Sequence, residues 1–265
     1  MSWTLSTQPV NLRTSINAES PISSDGPRVS EHFTLKAPPY LAIITNRHSC
    51  DSDEQLVSSL RSLEEAVSTN LVSLVSVRIN VPVPVDKQVE ERVLRLSKKL
   101  VELSEIHNFS VVLSSDWNHL LLESGAHGIH AKEFSRQIIE EVRQQKPGCL
   151  VGTSCHSLES AMEALQTYNV DYIFVGTCYI SDSHPEKGED LLEGPELPGQ
   201  IRQAFVDTGL ASFPRVLAIG GIDTHNCDVP IKFGADGVAA IKSVLQSANP
   251  SQAVNNLIQN MRNRR

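Results

Sequence analysis

The 265-residue chain is poor in aromatics, at 5%, and has neither a paired-cysteine motif nor a long apolar run. No uninterrupted hydrophobic stretch approaches the roughly 20 residues of a membrane-spanning helix, because the strongly apolar runs are only strand-length. Basic excess is missing too: 23 Lys and Arg face 31 Asp and Glu, a net charge of -8. That balance argues against a nucleic-acid groove, and Arg262, Arg264 and Arg265 read as a solvated helix end. The five cysteines, Cys50, Cys149, Cys155, Cys178 and Cys227, are odd in number and form no CxxC pair. A disulfide framework is therefore not expected, and a reducing, cytoplasmic compartment is. His130, Cys155, His156 and Cys178 come from consecutive strand ends, but at no zinc-like spacing, so small buried cysteines are the expectation. Glycine is absent from the first loop, Asn46-Arg47-His48-Ser49, which excludes the tight pyrophosphate turn of a doubly wound dinucleotide-binding sheet.

What is present begins with an unpatterned segment. Residues 1–39 are rich in Ser, Thr, Pro and Asn, lack apolar periodicity and end in Ala37-Pro38-Pro39, which predicts a disordered arm or linker before a domain at 40–265. The first eighteen residues carry Arg13 and no acid, which leaves organellar import by this arm open beside a plain flexible tail.

From Tyr40 onward strand and helix patterns alternate. The clearest unit is Leu150 to His184: a strand at Leu150–Thr153, a helix opened by Ser157, and an apolar strand at Asp171–Val175. An apolar strand between helices reads as a parallel sheet buried on both faces. Strands are predicted as well at Tyr40–Thr45, Leu71–Ile79, Ser110–Leu113, Gly128–Ala131, Arg215–Ile219 and Gly237–Ile241. Helical patterns follow Asp51, read as a cap with Glu54 behind it, then run through Val89 to Leu103, Asn118–Ser124, Ser135–Gln145, Leu197–Thr208 and Ala253 to Met261. This alternation is the count of an α/β (β/α)8 (TIM) barrel.

In such folds ligands sit at the carboxyl ends of the strands. Polar residues collect there: Ser154 and His156 after one strand, Thr177, Ser181, Asp182, Ser183 and His184 after the next. Glycines come late, in Ile219-Gly220-Gly221-Ile222 and in the segment from Gly237 to Lys242, where backbone N–H groups and a helix start suit a phosphate. Lys242 adds a positive charge there. His156 and His184 are candidates for moving protons, and His130, at the end of its strand, is expected to pack or bond to the backbone.

The succession GTSCHSLESA, VDYIFVGTCYISDS, AIGGI and GADGVAAI, preceded by SGAHGIHAKE, resembles the thiamine phosphate synthase / TenI family of barrels from Tyr40 to about Leu245. The resemblance implies a small phosphorylated heterocycle as ligand: a thiazole phosphate held by Ser181, Ser183, Gly220 and Gly221, and an aminopyrimidine pyrophosphate lying across Arg78 and Ser154. It implies coupling of the two into thiamine phosphate. The alternatives are a TenI-like thiazole tautomerase, whose imidazole position is Thr177 here, and a binding or regulatory protein without catalysis. Mg²⁺ is in doubt, because the family's metal-binding Asp positions match Ser115 and Ser135. The family's Asn-Asp after the third strand is Ser114-Ser115, its lysine two residues beyond Arg78 is Asn80, and a loop lysine is His184, with Lys187 close by. Asp116 and Glu133 read as helix-start acids. A homo-oligomer is compatible with all of this.

Overall fold

The computed structural model describes residues 37–181 and 188–263. Eight parallel strands close into a barrel in sequence order: β1 (Tyr40–Ile44), β2 (Leu74–Val77), β3 (Ser110–Ser114), β4 (Gly128–Ala131), β5 (Leu150–Cys155), β6 (Tyr172–Val175), β7 (Arg215–Ile219) and β8 (Gly237–Ala240). β8 returns to β1 with Leu41 beside Val238, so the sheet has no edge. Outside run α1 (Asp53–Val67), α2 (Lys87–His107), α3 (Leu121–Ser124), α4 (Ile138–Gln145), α5 (Leu158–Gln166), α6 (Leu197–Asp207), α7 (Asp228–Phe233), α8 (Lys242–Leu245) and α9 (Pro250–Arg262). Among the described residues no helix is long and apolar enough to cross a membrane.

Strand alternation separates two cores. Leu41, Ile43, Val75, Val111, Val151 and Ile173 point outward beneath the helices. Tyr40, Ala42, Leu74, Val112, Leu150, Tyr172, Phe174 and Leu217 fill the barrel from within. The interior closes by matching large against small: a Cβ on Gly152 would lie 2.0 Å from the Tyr172 ring. At the amino ends of the strands, Asp171 and Asp236 repeat one device. Each carboxylate accepts from the N–H of the second residue of a neighbouring strand, Val151 and Val216 respectively, at 2.7 and 2.9 Å.

Several boundaries differ from the sequence reading for physical reasons. Ser52, extended at φ -143°, caps α1 by accepting from Gln55 N–H, while Asp51 is taken by His48 at 2.7 Å. The second strand is limited to Leu74–Val77: Leu74, Val75 and Ser76 pair with both β1 and β3, and Val77 with β3 alone. A 3₁₀ helix, Ser115–Leu120, precedes α3, and another, Glu133–Ser135, precedes α4. β5 runs on to Cys155, so Ser154 belongs to the strand. Asp171 stands just before β6 as a clamp. α7, which carries Pro230, has too few turns to show periodicity and was not legible. Of the predicted arm, residues 1–36 lie outside the described residues.

Candidate functional site

The carboxyl ends of the strands open into a cavity of about 1620 Å³, and Arg78, Ser154, His156, Ser181, Gly220, Gly221 and Lys242 all line it. The site residues expected from the sequence thus share one hollow wherever they are described. Ser183 and His184 lie outside the described residues, as do Asp182 and Lys187.

Its floor is a polar relay on an aromatic plug. His130 points into the barrel from β4, stacks on Phe174 with ring centroids 4.6 Å apart, and shares hydrogen bonds with Tyr172 Oη (3.1 Å) and Ser154 Oγ (3.0 Å). The ring packs, the first of the two expected outcomes, and its hydrogen-bond partners are side chains rather than backbone, because barrel closure brings β5 and β6 under it. Burial, and secondarily the charge of Arg78, lowers the His130 pKa from 6.5 to about 3, so the ring is neutral in the folded protein. The unfolded chain takes up a proton below pH 6.5 that the folded one refuses until about pH 3. This group therefore removes stability as pH falls through that window, by about 1.4 kcal/mol per unit. Urea unfolding between pH 7 and 4.5 should show a flatter acid limb for His130→Asn than for the parent; parallel limbs would contradict the assignment.

One wall is built from closely approaching backbones. Gly220 (φ 99°) and Gly221 (φ 64°) lie against the loop after β6, where a Cβ on Gly220 would meet Thr177 Cγ2 at 2.6 Å and one on Gly221 would meet the Ile180 carbonyl at 2.5 Å. The carbonyls of Gly220, Gly221 and Ile222 accept from Tyr179 N–H (3.0 Å), Asn226 Nδ2 (2.8 Å) and Ser243 Oγ (2.9 Å). Planar trans peptides then turn the N–H groups of Gly221 and Ile222 away from those donors. Ser243 sits beside Lys242 in α8, so its bond ties the end of β8 to the turn after β7. Ser181 Oγ is buried beside this wall with no hydrogen-bond partner among the described residues. A buried hydroxyl so placed is costly unless a ligand completes it.

The opposite wall is cationic. Burial, then the neighbouring Arg47, lowers the Arg78 pKa to about 10. Arg47 lines the cavity from the end of β1, and its carbonyl accepts from Asn80 N–H at 3.0 Å. Sequence reasoning missed it, although a cation just past a barrel strand was the available signal. Between β3 and β4, Ser115 Oγ and Ser135 Oγ bond to each other at 3.0 Å. Beside them Lys132 Nζ pairs with Asp116 at 2.6 Å. These donors are a poor fit for a divalent ion: the hydroxyls satisfy each other and the carboxylate already holds an ammonium. The five cysteines are all buried and free.

On the rim His156 reaches Glu193 at 3.2 Å and Glu133 at 3.8 Å. The other oxygen of Glu193 accepts from Thr177 N–H, so one carboxylate orients the imidazole and pins the loop after β6. Glu193 escaped the sequence reading because it lies 37 residues from His156. Glu133, the expected helix-start acid, also lines the cavity.

Comparison with known proteins agrees with this geometry. The family model described as thiamine monophosphate synthase matches residues 41–244. A thiamine-phosphate synthase of Listeria welshimeri is 32% identical over 143 residues, covering 52% of this chain and 63% of that protein. The bifunctional thiamine biosynthesis protein ThiED of Geobacter sulfurreducens is 33% identical over 166 residues, covering 63% of this chain and 31% of that protein. The chain thus spans less than two thirds of the length of these relatives. A solved thiamine phosphate pyrophosphorylase from Pyrococcus furiosus superposes with a TM-score of 0.66 at 23% identity, over 88% of this chain and 98% of that one, which shows the same fold. With the model match spanning every strand but the first residue of β1, the chain belongs to the thiamine monophosphate synthase family.

Proposed function

We propose that this protein couples a thiazole phosphate to an aminopyrimidine methyl pyrophosphate, releasing pyrophosphate and forming thiamine phosphate. One observation carries the reading: a glycine-built wall beside the buried Ser181 hydroxyl, which has no partner among the described residues, faces a wall holding Arg47 and Arg78 across a single cavity. Two anionic ends of one reacting pair suit two such walls. The glycine wall takes the monophosphate through backbone N–H groups and Ser181, with Lys242 adding charge. In the reaction the thiazole nitrogen forms a bond to the pyrimidine methylene as the methylene–oxygen bond breaks, and negative charge gathers on the departing pyrophosphate. Arg47 and Arg78 face that charge. Neutral His130 and Ser154 form the polar part of the floor beneath the heterocycles.

Relatives named thiamine-phosphate synthase support the assignment. Purified protein given both precursors should yield thiamine phosphate by mass spectrometry, and Ser181→Ala should raise the KM for the thiazole phosphate about tenfold with kcat little changed. A kcat loss with unchanged KM would remove Ser181 from the phosphate wall. The His156–Glu193 pair favours a second reading, proton transfer in a thiazole tautomerisation, which predicts isomerised thiazole phosphate and no coupled product. Thermal stabilisation by the thiazole phosphate without either product would leave a binding or regulatory protein.

A further inference from the structure

A diphosphate bound in this cavity needs counter-charge, and carboxylates gathered around Mg²⁺ are one way to supply it. Here the junction of the loops after β3 and β4 offers something else. Ser115 and Ser135 hydrogen-bond to each other at 3.0 Å. Ser135 N–H and Oγ both bond to the Lys132 carbonyl, at 2.9 and 3.2 Å, so the serine pair and Lys132 form one rigid turn. The same turn delivers Lys132 Nζ to Asp116, whose other neighbour is Ser114 Oγ at 3.3 Å. Lys132 and Asp116 both line the cavity, as Arg47 and Arg78 do from β1 and β2. An ammonium has three N–H donors, and Asp116 occupies one, which leaves two to face a ligand.

We infer that this cavity binds a diphosphate without a divalent ion, its counter-charges being the Lys132 ammonium held on Asp116 and the guanidiniums of Arg47 and Arg78. The inference rests on the two-anion reading of the cavity given above. Carboxylate, cation and phosphate follow one another as they would around a metal, with a side chain as the cation. The guanidiniums add planar, bidentate contacts that a point charge does not offer. An isolated rim salt bridge would stabilise little and carry no such role, but this pair is fixed to a turn that also closes the serine site.

Calorimetric titration of the full chain with inorganic pyrophosphate tests this. In EDTA the parent should bind, and Mg²⁺ should leave the affinity unchanged or weaken it. Lys132→Met and Arg47→Met should each weaken binding about tenfold in EDTA, while Lys132→Arg stays within about threefold. The double variant Ser115→Asp/Ser135→Asp should acquire Mn²⁺ binding, read by electron paramagnetic resonance, and a pyrophosphate affinity that rises with Mg²⁺. Circular dichroism reports whether each variant is folded. Pyrophosphate binding that is absent in EDTA and restored by Mg²⁺, or a folded Lys132→Met that binds like the parent, overturns the inference. A parallel titration with the thiazole phosphate separates the two readings: if it binds and pyrophosphate requires Mg²⁺, only this inference falls, and if neither ligand binds, both fall.

Discussion

Replacing Gly221 by alanine should weaken thiazole phosphate binding about a hundredfold while the barrel stays folded. A side chain at φ 64° costs about 1–2 kcal/mol by itself. The larger effect is geometric, because the added carbon would stand 2.5 Å from the Ile180 carbonyl, a backbone atom that moves only if the loop moves. Separating the loops after β6 and β7 withdraws the Gly221 and Ile222 N–H groups together with Ser181. Two charge-assisted hydrogen bonds lost, at about 1.5 kcal/mol or more each, make the hundredfold. Gly209→Ala is the matched control: φ is 72° there, but nothing lies within 4 Å of the new carbon. It should cost similar strain and leave binding unchanged. Titration calorimetry with both variants checks the pair, and equal losses of affinity would reduce the effect to backbone strain.

Arg136→Met should be the most destabilising single change near the site, by about 3–5 kcal/mol. The guanidinium is 2% exposed and donates to Thr153 Oγ1 (3.1 Å), Ser154 O (2.8 Å), Ser160 O (3.1 Å) and Ser160 Oγ (2.8 Å). Removing it leaves buried acceptors on β5 and α5 without donors. It also frees the Ser154 carbonyl, and with it the strand segment that positions Ser154 in the cavity. Thermal unfolding should fall by about 6–20 °C for a domain of this size. The Arg136–Glu163 ion pair, at 2.9 Å, contributes far less, since the Glu163 side chain is 54% exposed. Glu163→Gln should therefore cost about 1 kcal/mol or less. If the two variants were equally unstable, the surface pair rather than the buried acceptors would be holding the segment before α4 in place, against α5.

The barrel was legible because a parallel strand covered on both faces has to be apolar throughout, as Tyr172–Val175 is, and because capped amphipathic helices separate such strands. The glycine wall was legible for a different reason: only glycine accepts the close approach at 220 and 221, so the residue type announces the backbone. Other elements depend on closure, which no local pattern contains. His130 looks like any strand-end histidine until β5 and β6 place Ser154 and Tyr172 at its two nitrogens. Arg136 looks like a solvated helix-start residue until α5 covers it. Arg47 looks like any loop cation until closure of the barrel turns the end of β1 toward the cavity. Asp116 was read correctly as standing in the first turn of a helix, yet its pairing with Lys132 joins loops sixteen residues apart in sequence.

The central claim is that a phosphoryl group sits between the turn after β7 and the loop after β6. A crystal structure of the full chain with the thiazole phosphate measures this directly. The phosphate oxygens should lie within hydrogen-bond distance of Gly221 N, Ile222 N and Ser181 Oγ, with the ring over His130. A phosphate seated instead on Arg47 and Arg78, with the glycine turn empty, would contradict the account.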